Sequence, residues 1–417
     1  MKKNNIIHVG RKLETILRVD IDYIVKGGFF LSIAQFFSMG IGLVMSIAFA
    51  NLLDPTTYGQ YKYVISAALI LGSLTLTTGL GTSIIQGVAK GYEGNLNVAF
   101  FKNLFWSLGM FALSLVTATY YWLNDNTFLA LSFIVIAFTV PLTSSASFYR
   151  VFLNGKKEFK NLTMDVIIQK SVTAFAVIGA MLLTNNPLTI VCVFFASELI
   201  TPLFFYLHTL KKYKPNDKTD INENKSYSMH LSIMNIMKNV SGQMDKILIF
   251  QWIGAAQLAT YSIALAPVTE ISGVDKMLST LALPKLSQRT YKEIRATLLR
   301  KIIFLMAIMG IFTFVYILAT PFIFGFLFPQ YTNAVLYSQL LALTVVLSPA
   351  IIITKAFIAH KKIIELYLMR FTVPLVQVTS LVYFLPKFGL IGAVTSILIT
   401  KVFWFILVVT LFIRTRG

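Results

Sequence analysis

Stretches of roughly twenty predominantly apolar residues recur twelve times along this chain, and no other feature restricts its fold as strongly. A hydrocarbon layer of ~30 Å is crossed by about 20 helical residues at ~1.5 Å per residue. The stretches fall near 27–53, 62–88, 101–123, 127–152, 162–184, 187–210, 227–253, 258–284, 298–324, 333–359, 363–385 and 388–413. In lipid, only helices and closed barrels satisfy their own backbone polar groups, and runs this long read as helices. Composition closes the other routes: 56% of residues are hydrophobic and 13% charged, where soluble domains carry ~25% charge. A disordered chain, a disulfide scaffold and an ordinary cytosolic enzyme are all excluded. The expected fold is an all-α polytopic membrane protein of about twelve transmembrane helices. The single cysteine, Cys192, lies in an apolar run and reads as a small buried hydrophobe. Residues 1–26 carry charges throughout rather than an apolar core, so no cleavable signal is expected there.

A net charge of +19 would suit a nucleic-acid binder, so the positions of the charges decide. Twenty-seven basic residues fall on one side of the spans, from Lys2 and Lys3 through Lys156, Lys157, Lys211, Lys212, Arg289 and Lys292 to Arg414. The opposite side holds Lys62 and Lys387 alone. Basic loops stay in the cytoplasm, which puts both termini inside and leaves no nucleic-acid partner. The outer connections at 124–126, 185–187, 254–257 and 328–333 are too short for a catalytic domain, so no enzyme is expected. The expected division is a cytoplasmic segment 1–26, a six-helix bundle 27–210, a cytoplasmic linker 211–226, a second bundle 227–413 and a tail 414–417. Leu13, Ile16, Leu17 and Ile24 give the first segment an amphipathic face suited to the inner leaflet.

The two halves echo each other. Span four ends Arg150-Val-Phe-Leu-Asn-Gly-Lys-Lys157, and span ten ends Lys355-Ala-Phe-Ile-Ala-His-Lys-Lys362. Tyr61 opens span two as Tyr261 opens span eight. Six spans per copy is an even number, so the copies share one orientation and form a parallel repeat about the membrane normal. Transporters built this way hold their substrate between the bundles near the midplane.

Charges inside hydrocarbon cost at least ~2.5–3.5 kcal/mol each and need a reason. At ~100° per residue, Asn235, Lys238, Asn239, Gly242, Asp245 and Lys246 share one arc of span seven. Span eight carries Glu270, Asp275 and Lys276, span eleven Arg370 with Gln377, span twelve Lys401, and spans five and six Lys170 and Glu198. In the first half the stripes are uncharged, as with Gln35, Ser38, Gly42 and Ser46. The functional reading is a central cavity with a cationic wall of Lys238, Lys276, Arg370 and Lys401, lined also by Asn235, Asn239, Gln35 and Gln377. Glu198, Glu270 and Asp245 are the candidates for proton or sodium coupling. The competing reading is structural ion pairing, Lys238 with Asp245 or Glu270 with Lys276. His8, His208, His230 and His360 lack metal-ligand spacing, and no Gly-rich phosphate loop is present, so neither a metal nor another cofactor is expected.

Several segments resemble the O-antigen and teichoic-acid exporters, the polysaccharide flippases of the multidrug/oligosaccharidyl-lipid/polysaccharide (MOP) superfamily. They are Ala48–Tyr61 with Asp54, Pro55, Tyr58 and Gly59, then Gly79–Thr82, Met244–Ile247 with Gly254 and Tyr261, and Phe324–Tyr331. The resemblance implies a V-shaped pair of bundles in the bacterial cytoplasmic membrane. It implies translocation of a polyprenyl-pyrophosphate-linked oligosaccharide, with membrane lipids, and polysaccharide polymerase or glycosyltransferases, as partners. A cationic cavity suits a pyrophosphate. Lipid II flippases resemble fourteen-span chains with arginines in the first spans; here spans one and two are expected to lack charge in their cores, which argues against a peptidoglycan precursor. The alternative is a drug or cation antiporter of the same fold, which would want an acidic cavity.

Overall fold

A computed structural model describes residues 21–415 apart from 76–79, 220–224, 288–289 and 361. The amphipathic segment expected before span one lies almost wholly outside the described residues. All regular structure among the described residues is helical. Span one is α1 (Ile21–Leu52), and span two is α2 (Pro55–Ser73) with α3 (Leu80–Ala89). Span three is α4 (Asn95–Trp106) with α5 (Leu108–Leu123), and span four is α6 (Thr127–Ala146) with α7 (Phe148–Gly155). Spans five to nine are α8 (Phe159–Leu183), α9 (Pro187–Tyr213), α10 (Lys225–Trp252), α11 (Ala255–Ser287) and α12 (Tyr291–Leu327). Span ten is α13 (Val335–Val346) with α14 (Ile351–Ala359), and α15 (Ile363–Arg414) holds the last two.

The parallel repeat is visible in where helices break. Span four is interrupted at Ser147 and span ten at Ser348–Ala350, in each case just before the matched basic segment. At ~1.5 Å per residue a straight α15 would be about 78 Å long, more than twice the hydrocarbon thickness. It therefore folds back at Gly389, whose φ of +57° is left-handed. Across that turn Gly392 lies on the Phe384 carbonyl with no room for a methyl group. Eight helical stretches among the described residues are long and apolar enough to cross a membrane, and α15 is one of them. Those that fall short are span two, broken after Ser73, and α10 and α11, which carry the intramembrane charges. Leu183 and Phe326, 88% and 86% exposed, belong to the apolar outer surface that lipid covers.

The cores show how the halves sit. At the end opposite the termini, one continuous core takes residues from both halves: Phe49, Tyr58, Tyr61 and Tyr63 pack with Ile249, Leu258, Tyr261, Phe324 and Tyr331. At the other end the described residues form two further cores, one in each half. Ile84, Leu96, Tyr149 and Phe152 form the first, and Leu286, Tyr291, Phe357 and Phe412 the second. Among the described residues the apolar core that joins the two bundles lies at the end away from the basic loops, as in a V whose arms point toward those loops. The seam of the fused end is tight. Asn51 Nδ2 donates to the Leu327 carbonyl at 2.9 Å, and Gly59 of α2 lies directly against the backbone of Ala255.

The turn between α1 and α2 is held by Asp54, whose carboxylate accepts from the Thr57 N–H at 2.9 Å and caps α2. Partial burial pushes this carboxyl upward, but the hydrogen bonds from Thr57 outweigh it and its pKa lies below the ordinary value. A lowered folded-state pKa stabilises above the unfolded value, and that contribution is lost as pH falls through the acid range. Asp54→Ala is expected to cost about 1 kcal/mol, seen as a lower melting temperature in detergent at neutral pH. The gap to wild type should close below the normal Asp pKa of about 4.

Candidate functional site

The polar arc of α10 meets three different environments along its length. Toward its N-terminal end, Asn235 Oδ1 accepts a hydrogen bond from Arg370 Nη1 of α15 at 3.2 Å. Lys238, Asn239 and Gly242 are exposed, and a methyl group added to Gly242 would meet nothing within 4 Å. Set against hydrocarbon, an exposed lysine and asparagine would carry a large cost. Further out, Lys246 Nζ donates to Gln243 at 2.7 Å. Asp245, 4% exposed, sits at the edge of the arc and is turned onto α11, where the Tyr261 hydroxyl donates to Oδ2. Its Oδ1 finds no hydrogen-bond partner among the described residues.

Lys62 corrects the sequence reading. Apolarity alone starts span two at residue 62, but the Asp54-capped helix begins at Pro55 and carries Lys62 into the second turn of α2. Its ammonium lies over the Tyr58 ring at 5.3 Å and within electrostatic range of Lys246 and Glu270. Span two is therefore not free of charge, and the argument against a peptidoglycan precursor drawn from its neutrality loses that support. Glu270 reaches across to α1, where its carboxylate occupies the space a side chain at Gly42 would need. Thus Gly42 and Lys62 of the first half meet Glu270 and Lys246 of the second at the base of the cleft.

Glu198 lies in a different place, inside the first bundle. Gln169 Nε2 and Thr173 Oγ1 donate to it at 2.9 and 3.0 Å, and Lys170 Nζ stands 4.0 Å away. Arg150 donates to the Gln169 side-chain oxygen and, at 3.1 Å, to the Tyr149 hydroxyl. Sequence reasoning counted Arg150 among the loop charges and passed over Gln169 and Thr173, although both share the span of Lys170. Gln35 and Gln377 are half-buried. Lys401 is exposed on the last limb of α15, 5.7 Å from the Trp404 ring centre. The side chain of Lys276 lies outside the described residues. Among the described residues no three His, Cys, Asp or Glu side chains gather into a metal site.

Comparison with known proteins bears on this geometry. The profile of a family described as "polysaccharide biosynthesis protein" matches residues 24–290, more than half of the chain. No curated protein matches significantly. The fold is similar to the lipid II flippase MurJ in an inward closed conformation, with TM-score 0.69 and 16% identity over 92% of this chain and 87% of that one. It is similar to a multidrug resistance MATE transporter of the MOP superfamily in an inward-facing conformation, with TM-score 0.67 and 15% identity over 93% and 99%. A third likeness, at TM-score 0.51 and 14% identity over 94% and 96%, is to a MOP transporter from Pyrococcus furiosus whose reported reverse polarity of the binding pocket suggests a different function. At these identities the likenesses establish the fold. The family match shows that this multi-pass membrane chain belongs to the polysaccharide biosynthesis protein family, with the fold seen in MurJ and in MATE transporters of the MOP superfamily.

Proposed function

We propose that the protein is a flippase that carries a polyprenyl-pyrophosphate-linked oligosaccharide from the cytoplasmic to the outer leaflet of the bacterial cytoplasmic membrane, by alternating access between its two bundles. The observation that carries this reading is the exposed Lys238–Asn239–Gly242 face in the open V, with Arg370 and Asn235 beside it. Lysine and arginine at the entrance suit a pyrophosphate, the amides suit sugar hydroxyls, and an open V leaves the lipid tail in the bilayer. The excess of basic loops sets the open end toward the cytoplasm, where lipid-linked sugars are assembled. A glycosyltransferase or polymerase acting on the same lipid is the expected neighbour in the cell.

The cycle is read as ion-coupled. A buried carboxylate oxygen without a donor among the described residues, as at Asp245, is a place where a proton or sodium ion can be taken up, and Glu198 and Glu270 are the further candidates. The test uses purified protein in liposomes loaded with a polyprenyl-pyrophosphate oligosaccharide, scored by lectin access to the sugar. Protein-dependent flipping that responds to a proton or sodium gradient, with the response lost in Asp245→Asn, is the expected result. Ethidium transport without flipping would replace this reading with the drug antiporter.

A further inference from the structure

We infer that Gln251, Tyr63 and Tyr121 form a latch that holds the outer end of the V shut and sets how readily it opens. The three come from different elements, α10 of the second half and α2 and α5 of the first, and meet only when the outer ends are together. Gln251 Nε2 donates to the Tyr63 hydroxyl at 2.9 Å and to the Tyr121 hydroxyl at 2.7 Å, and the two hydroxyls lie 2.6 Å apart. One amide NH2 thus spends both its hydrogens on the opposite half. Aromatic packing backs the polar ring. Tyr63 stacks on Phe250 with ring centres 4.0 Å apart and planes at 18°, and Tyr121 stacks on Phe133 at 5.6 Å.

Both tyrosine rings are buried, 4% and 9% exposed, whereas Gln251 lies at the surface. Opening the outer end pulls Gln251 away, removes the donor it gave to each hydroxyl and leaves the two hydroxyls bonded only to each other. The glutamine amide can re-hydrate at once, so the penalty is moderate, which suits a catch that must release in every cycle. A purely apolar seam would lack this feature, because it would give up only buried area on opening. Two lost hydrogen bonds correspond to about a 10–30-fold change in the closed-to-open ratio.

The inference rests on alternating access but not on the substrate, so its test needs no ligand. Nitroxide labels at Thr127→Cys and Gln330→Cys, in a Cys192→Ala background, report the distance between the outer ends of the two halves by pulsed electron resonance in liposomes. Gln251→Ala and the ring-preserving Tyr63→Phe/Tyr121→Phe pair should each raise a long-distance population by about 10–30-fold relative to wild type, at unchanged abundance. Gly59→Val serves as the control, since it wedges the same seam at Ala255. If the wedge opens the outer end and the latch variants keep the wild-type distribution, the latch is wrong while alternating access stands. If no variant, the wedge included, yields a second population, alternating access itself fails and the latch with it.

Discussion

Lys238→Ala is expected to abolish export, by at least about 100-fold, while the protein remains inserted at normal abundance. A hydrogen bond to a charged group is worth about 1.5–3 kcal/mol, and a pyrophosphate offers more than one acceptor to the same ammonium. Lys238 stands on the exposed part of the α10 face with Asn239 and Gly242, with open space beside the glycine. Removing its side chain therefore opens no cavity in a packed core. Lys238→Arg keeps the charge and should retain part of the activity, reduced because the planar guanidinium presents its donors in a different geometry. A lysine with a structural role predicts the opposite pattern, with low abundance and a normal rate per surviving molecule. Surface glycan measured against protein level in the two variants separates these outcomes. Arg370→Ala serves as a contrast, since it also strips Asn235 of its donor and should lower stability as well as activity.

Gly59→Val is expected to drive the protein out of the outer-closed state. Gly59 sits within α2, where a larger residue would normally favour the helix. The obstacle is tertiary: a methyl group there would collide with the carbonyl of Ala255 at the start of α11. Overpacking of this kind costs about 1–3 kcal/mol, and it applies only while the two outer ends touch. The same substitution is therefore neutral or favourable when the seam is apart. A population shift of about 10–100-fold toward the outer-open form follows, readable as the longer label distance. Transport should fall, because the cycle can no longer return to the form that loads from the cytoplasm. Loss of fold in both states would instead appear as lost abundance, and an unchanged distance with normal abundance would show that the seam yields elsewhere.

Much of this protein is contained in local sequence. Apolar runs of membrane-spanning length are a property of contiguous residues, so most of the spans could be placed from hydropathy and the echo at Arg150 and Lys355 could be read as a parallel repeat. The polar arc of α10 follows in the same way from helical periodicity. What periodicity does not reveal is the neighbour of each face. Lys238 and Asp245 share an arc, yet one is exposed and the other is buried against Tyr261, because α11 packs on only one edge of it. Lys62 looked like a loop residue until the Asp54 cap lengthened its helix and α10 and α11 brought Lys246 and Glu270 to it. Arg150 joined Gln169 and Glu198 through a break in span four that no apolar run announces. Only the tertiary structure decided the direction in which the V opens. Closed-outside and closed-inside packings bury the same apolar stripes and obey the same periodicities. The choice between them is a small free-energy difference at the seam, made by contacts such as Asn51 with Leu327 and Gly59 with Ala255 between residues about two hundred or more positions apart.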